Sequence, residues 1–157
     1  MSKGDQTPWR KLLKARRIKP HETSRKEIDD LRAVVERDLA DAAIPELSAD
    51  RRFATAYNAV LQAAKMVIAC AGFRIAAVGH HQMTFEAIEA AMGDEVARWA
   101  DYFDGCRRKR NLLDYDMAQV ATEDEAQALL EEARRFRNYT ERWIARHYPA
   151  YARREDA

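Results

Sequence analysis

Glycine and proline are scarce in this chain, five and four among 157 residues. That excludes collagen-like, loop-dominated and low-complexity architectures, which need far more of both. Cysteine is scarcer still. Cys70 and Cys106 offer neither a disulfide framework nor a zinc spacing, and both sit in apolar helical contexts that suit small buried hydrophobes. No run approaches 18 apolar residues and no charged-then-apolar leader is present, so the expectation is a cytoplasmic protein that does not span a membrane. Net charge is nearly absent at +1, so any contact with nucleic acid has to be local. Also missing are a Gly-rich phosphate loop, a Ser-His-Asp order, a carboxylate cluster for Mg²⁺ and an internal repeat of solenoid period. Neither a metal nor a cofactor is expected.

What is there is one amphipathic helical segment after another, in a length that suits one domain with a core of its own. Residues 1–22 read as a basic N-terminal arm. The first twenty hold seven Lys/Arg against one Asp, which leaves about −5 for the remainder. Within the arm, Pro8 and Pro20 bracket a stretch that suits a short helix or a strap. Its cations suit phosphate contact, and Trp9 is available either to stack on a base or to dock on the bundle. Residues 23–148 form the helical domain, and 149–157 a polar C-terminal tail.

The helices announce themselves by their caps and stripes. Ser24 with Glu27 is a capping box opening a helix that Ile44-Pro45 ends. Ser48 opens the next, whose Phe53, Tyr57, Val60, Leu61, Ala64, Val67, Ile68 and Ala71 share one face until Gly72 stops it. Phe73 to Val78 is too weakly patterned to assign. Thr84 is the expected N-cap of a short helix ending near Gly93, and Asp94 that of the following long helix, in which Gly105 leaves room for a second backbone. Thr122 with Glu125 opens the last helix, with Leu129, Ala133, Phe136, Thr140, Trp143 and His147 along its inner stripe and Pro149 as its stop. The fold class expected is all-α, a four- to five-helix up-and-down bundle.

One stretch carries more than packing. Arg107-Arg108-Lys109-Arg110 runs into Asn111, Leu112, Leu113, Asp114 and Tyr115 while still in helical phase. At 100° per residue Arg110, Asp114, Arg107, Asn111 and Tyr115 fall on one arc of about 140°, and Trp99, Tyr102, Phe103 and Cys106, together with Leu113, fall mainly on the adjoining arc. In isolation such i,i+4 pairs are ordinary on solvated helix faces. The pattern Arg-Asn-x-x-x-(His or Tyr) late in a helix resembles the HEPN superfamily, and the helical context extends that resemblance over roughly residues 24–147. HEPN domains are small helical nucleotide- and RNA-binding domains of bacterial toxin–antitoxin and defence systems. Many are metal-independent ribonucleases with an Arg-x4–6-His motif whose two copies meet in a dimer. The resemblance places Arg110 and Asn111 on the family's Arg-Asn and puts Tyr115 where ribonuclease members carry His. A phenol with a pKa near 10 is a poor general base at pH 7, whereas an imidazole titrates close to it.

Three readings of function follow. In the first, Arg107, Arg110 and Asn111 hold an RNA or nucleotide phosphate, Asp114 orients Arg110, Tyr115 donates its hydroxyl or stacks, and His81 is a further candidate ligand contact. In the second, the chain is an endoribonuclease toxin. Arg110 stabilises the pentacovalent phosphate, His80 supplies the imidazole that Tyr115 lacks, and a second subunit completes the site. In the third, the chain is a structural partner of a nucleotidyltransferase. The resemblance implies a homodimer and an antitoxin or nucleotidyltransferase partner. The paired His80 and His81 alone lack the further ligands a metal requires, and helix-start capping is their simplest use. The cation run would also suit a helix-turn-helix reader, but the loops are poorly spaced for one.

Overall fold

The computed structural model describes residues 7–76, 81–113 and 119–154. Among them are six α-helices: α1 (Thr7–Lys14), α2 (Arg25–Ala42), α3 (Ala49–Cys70), α4 (His81–Met92), α5 (Ala97–Leu112) and α6 (Glu123–His147). Two three-residue strands, β1 (Ile18–Pro20) and β2 (Phe73–Ile75), make up the described sheet structure. Helices α2 to α6 form the expected all-α bundle, and α1 sits outside it.

Several boundaries follow from the capping residues. Ser48 accepts the Arg51 amide at 3.1 Å at the start of α3. Thr122 and Glu125 form a reciprocal box, each side chain taking the other's backbone N–H at 3.0 Å. Ser24 makes only half of its box. Its hydroxyl accepts the Glu27 amide at 3.1 Å, but the Glu27 carboxylate turns to Thr23 (2.7 Å) and His21 (2.8 Å). Two expected caps are displaced. Helix α4 opens at His81, so Thr84 lies inside it and is buried. Asp94 begins a single 3-10 turn after Gly93, whose φ of +87° makes the bend, and α5 proper starts at Ala97. Gly105 admits no second backbone either. A Cβ there would meet only the Arg108 side chain, at 3.8 Å.

Helix α3 is the axis of the bundle. Fourteen of its residues are buried, because α2, α4, α5 and α6 all pack on it. By length and composition it is also a helix that could cross a membrane, yet most of its surface is already covered by protein. Aromatic edges link the layers in a chain. Tyr57 meets Phe85 at 6.1 Å, Phe85 meets Phe103 at 5.9 Å, Phe103 meets Phe136 at 5.3 Å, and Phe136 meets Trp99 at 5.4 Å. Both cysteines are buried and unbridged, and burial pushes the Cys70 thiol up to about 12.

The N-terminal segment is built into this structure. Trp9 is 2% exposed, stacked on Phe73 with ring centroids 4.6 Å apart, so its indole is not open to a base. Ile18 joins it in a second cluster with Ile68 and Ala87. The unassigned stretch after Gly72 becomes the partner strand, antiparallel to β1, with Ile18 opposite Ile75, Lys19 opposite Arg74 and Pro20 opposite Phe73. The amides of His21 and Ala76 extend the ladder to Gly72 and Arg17, at 2.8 and 2.9 Å. Gly72, at φ +95°, supplies the left-handed residue between α3 and β2.

Candidate functional site at the end of helix α5

The four cations of α5 have different surroundings. Asp104, one turn back, takes Arg107 Nε at 2.8 Å and Arg108 at 3.3 Å. Lys109 instead reaches across to α6. Its Nζ lies 2.6 Å from Glu125 and donates to the Val120 carbonyl at 3.3 Å. Arg107 thus pairs backward along its own helix rather than forward to Asn111. A carboxylate three residues back offers a charge-assisted bond that an amide does not. Lys109 fastens two helices and Arg108 points to solvent, leaving Arg107 and Arg110 as the half-buried pair. Asn111 beside them is exposed.

Both of those guanidinium groups act on one buried phenol. Tyr57 of α3 is 1% exposed, and burial drives its pKa well above the usual tyrosine range. The positive charges of Arg107 and Arg110 pull the other way without overcoming burial. Tyr57 therefore stays protonated at neutral pH and is no general base. The pull of these charges on it was not foreseen, since a Tyr on an apolar helical stripe reads as core. Its neighbour Asn58 donates to the buried Asp38 at 2.5 Å and is likewise structural. Cys106, on the inner side of the same turn, is pushed up to about 11 by burial, against a lowering hydrogen bond from Tyr102.

Of the other residues singled out from the sequence, His80, Asp114 and Tyr115 lie outside the described residues, as does the side chain of His81. Asp50 in the first turn of α3 accepts the amides of Gln119 and Ala121, both at 2.8 Å, and so seats the chain where it enters α6. The remaining histidines are engaged elsewhere. His21 is bonded to Glu27, and His147 packs on Trp143 with ring centroids 5.3 Å apart. His147 stands 22 residues along α6 from Glu125, the residue that holds Lys109, a distance of about 33 Å at 1.5 Å per residue. It is therefore remote from the α5 terminus in the same chain.

A cavity of about 1070 Å³ lies toward the opposite end of α5. It is walled by the Gly93 bend, by Glu89 and Glu95, and by Arg142, Trp143 and Arg146 of α6. Burial, with Asp101, Asp94 and Glu86 adding to it, raises the Glu89 carboxyl above its usual range. No motif marks this cavity in the sequence, because its walls come from separate elements whose residues look individually like solvated faces. Among the described residues no group of His, Cys, Asp and Glu is assembled to hold a metal.

Searches of curated proteins and of solved structures return no match. The family profile described as SAV_6107-like HEPN matches residues 43–141, which run from the α2–α3 connection through α3, α4 and α5 and most of α6. That span is well over half of the sequence and includes the whole cationic turn of α5. The chain belongs to the HEPN family, in its SAV_6107-like branch.

Proposed function

We propose that this HEPN domain is an RNA- or nucleotide-binding module whose ligand meets the last turns of α5, without strong catalysis of its own. The observation that carries this reading is the half-buried Arg107 and Arg110, three residues apart on the last turns of α5, with exposed Asn111 next to them in the chain. Guanidinium groups with a fixed approach suit the planar, bidentate recognition of phosphate, and an adjacent amide adds a neutral donor and acceptor. Tyr115, on the strength of the family resemblance, and Asp114 and His81, from the sequence itself, complete the proposed contact set. A homodimer, a toxin–antitoxin or defence role, and a nucleotidyltransferase or antitoxin partner belong to the same reading and rest on family membership.

Fluorescence anisotropy with a labelled single-stranded RNA and with a labelled mononucleotide, both in EDTA, tests this. We expect binding of at least one probe, weakened about tenfold or more by Arg110→Ala, as for loss of a charge-assisted contact worth about 1.5–3 kcal/mol. Arg110→Lys should fall between the two, since a point charge cannot reproduce a bidentate fork. Equal affinity in all three proteins would remove α5 from ligand binding. Cleavage of the RNA in EDTA, lost in Arg110→Ala, would replace the binding module with the endoribonuclease.

A further inference from the structure

We propose that the outer face of α1 and the hairpin is a second nucleic-acid contact surface, one that grips the phosphate backbone and reads no bases. It shares its ligand class with the RNA reading above but rests on different residues. Between Thr7 and Pro20 the chain carries Arg10, Lys11, Lys14, Arg16, Arg17 and Lys19 and no carboxylate. Arg74 joins them from β2. Arg17 has an acidic neighbour, Glu86 at 3.6 Å. Among the described residues none of the other six has a carboxylate partner, and all six are exposed.

The hairpin register sharpens the point. Lys19 and Arg74 are direct cross-strand partners, so the ladder places two like charges opposite each other on its outward face. Such pairing is unfavourable for the sheet, and nothing in the fold needs it. Arg16 adds a second cost. It holds a left-handed backbone at φ +59°, a conformation that glycine or asparagine adopts more readily. A surface that concentrates repelling cations at the expense of its own stability fits an external anion that neutralises them.

The nature of that anion follows from what faces inward. Trp9 and Ile18 are buried, Phe73 stacks beneath Trp9, and Leu12 and Leu13 pack against the same cluster. Among the described residues of this element the Trp9 ring is buried and Leu12, Leu13, Phe73 and Ile75 are partly covered, which leaves little aromatic surface to stack on a base and little apolar face to enter a lipid layer. The cations spread along a helix of about 12 Å and an adjoining hairpin, farther than one phosphate can span. A strand of successive phosphates meets them in turn. Binding of that kind is independent of sequence and steeply dependent on salt.

The test is a salt titration of affinity for a labelled mixed-sequence RNA of about 20 nucleotides, comparing the full chain with the triple variant Arg16→Gly, Lys19→Gln, Arg74→Gln. The variant should bind at least about tenfold more weakly at low salt. Its slope of log affinity against log salt should be shallower by about 2, for three lost phosphate contacts at about 0.7 each. Its melting temperature should match or exceed the parent's, because the like charges are gone, and its mononucleotide affinity should be unchanged. Arg10→Gln with Lys14→Gln should reproduce the RNA effect from the helix side. An unchanged slope, a loss confined to particular RNA sequences, or tighter binding of the parent to phosphatidylserine vesicles than to RNA would overturn the proposal. Failure of the parent to bind RNA at all would overturn it too, while leaving the α5 reading to the mononucleotide. Conversely, a response of these variants with none from Arg110→Ala would retain this surface and discard α5.

Discussion

Single residues hold this bundle at points where the chain has no local reason to meet itself. Arg32 is buried on α2. It donates to Asp29 at 2.6 Å, to both Glu141 oxygens at 2.6 and 2.9 Å, and to the Tyr151 carbonyl at 2.8 Å. Burial alone would disfavour its charge, but the two carboxylates more than offset this and raise its pKa. Removing it strands Glu141, whose side chain is only 13% exposed. Arg32→Ala should therefore cost about 3 kcal/mol in urea unfolding, and Arg32→Met with Glu141→Leu should recover much of that. Apart from Asp29 one turn back, nothing in the sequence flags this network, since Glu141 and Tyr151 lie 109 and 119 residues away. Arg110 and Asn111 were legible because their pattern is contiguous and falls on one helical arc. Tyr57 was not, because a phenol on an apolar stripe carries no mark of the positive charges on α5 that act on it.

Element boundaries were legible wherever a side chain caps a helix, and they failed where tertiary contacts decided. The Thr122–Glu125 box is present as read, and it does a second job through Lys109. The Lys109 hydrogen bond and the Thr122 backbone N–H, helped by the Lys109 charge, hold the Glu125 carboxyl below the usual carboxylate range, against an opposing effect of burial. A folded-state pKa below the unfolded value gives stability that is present above the ordinary carboxylate pKa of about 4.3 and lost as pH falls through the folded value. Lys109→Met should thus cost about 0.5 kcal/mol near pH 7, as for a partly exposed pair. The difference from wild type should shrink as unfolding is followed to acid pH and the Glu125 carboxylate is protonated. Thr122→Ala should cost about 1 kcal/mol by loss of the cap. The hairpin escaped the sequence because each strand has three residues, too few for alternation to show against helical neighbours. Thr84 misled for a related reason. It looks like a cap, but α4 opens one turn earlier and buries it.

For the molecule as a whole, the family match and the fold do not share a boundary. The match begins at residue 43, yet α2, β1 and α1 are packed into the same structure. Deleting residues 1–20 should therefore do more than remove charge. Loss of the buried Trp9 and Ile18 side chains alone should cost about 4 kcal/mol and lower the melting temperature by roughly 10 °C, readable by circular dichroism. The all-α class was legible across the chain because amphipathic periodicity survives averaging over long segments. The cavity beside the Gly93 bend was not, since it exists only once α4 and α6 are in place. The hairpin draws one strand from each side of the family boundary. A fragment trimmed to the matched span would leave Phe73–Ile75 as a bare ribbon of amides and carbonyls, open to any extended peptide, including its own copies. The first symptom of such a cut would then be turbidity, on top of the helical content lost with α1 and α2.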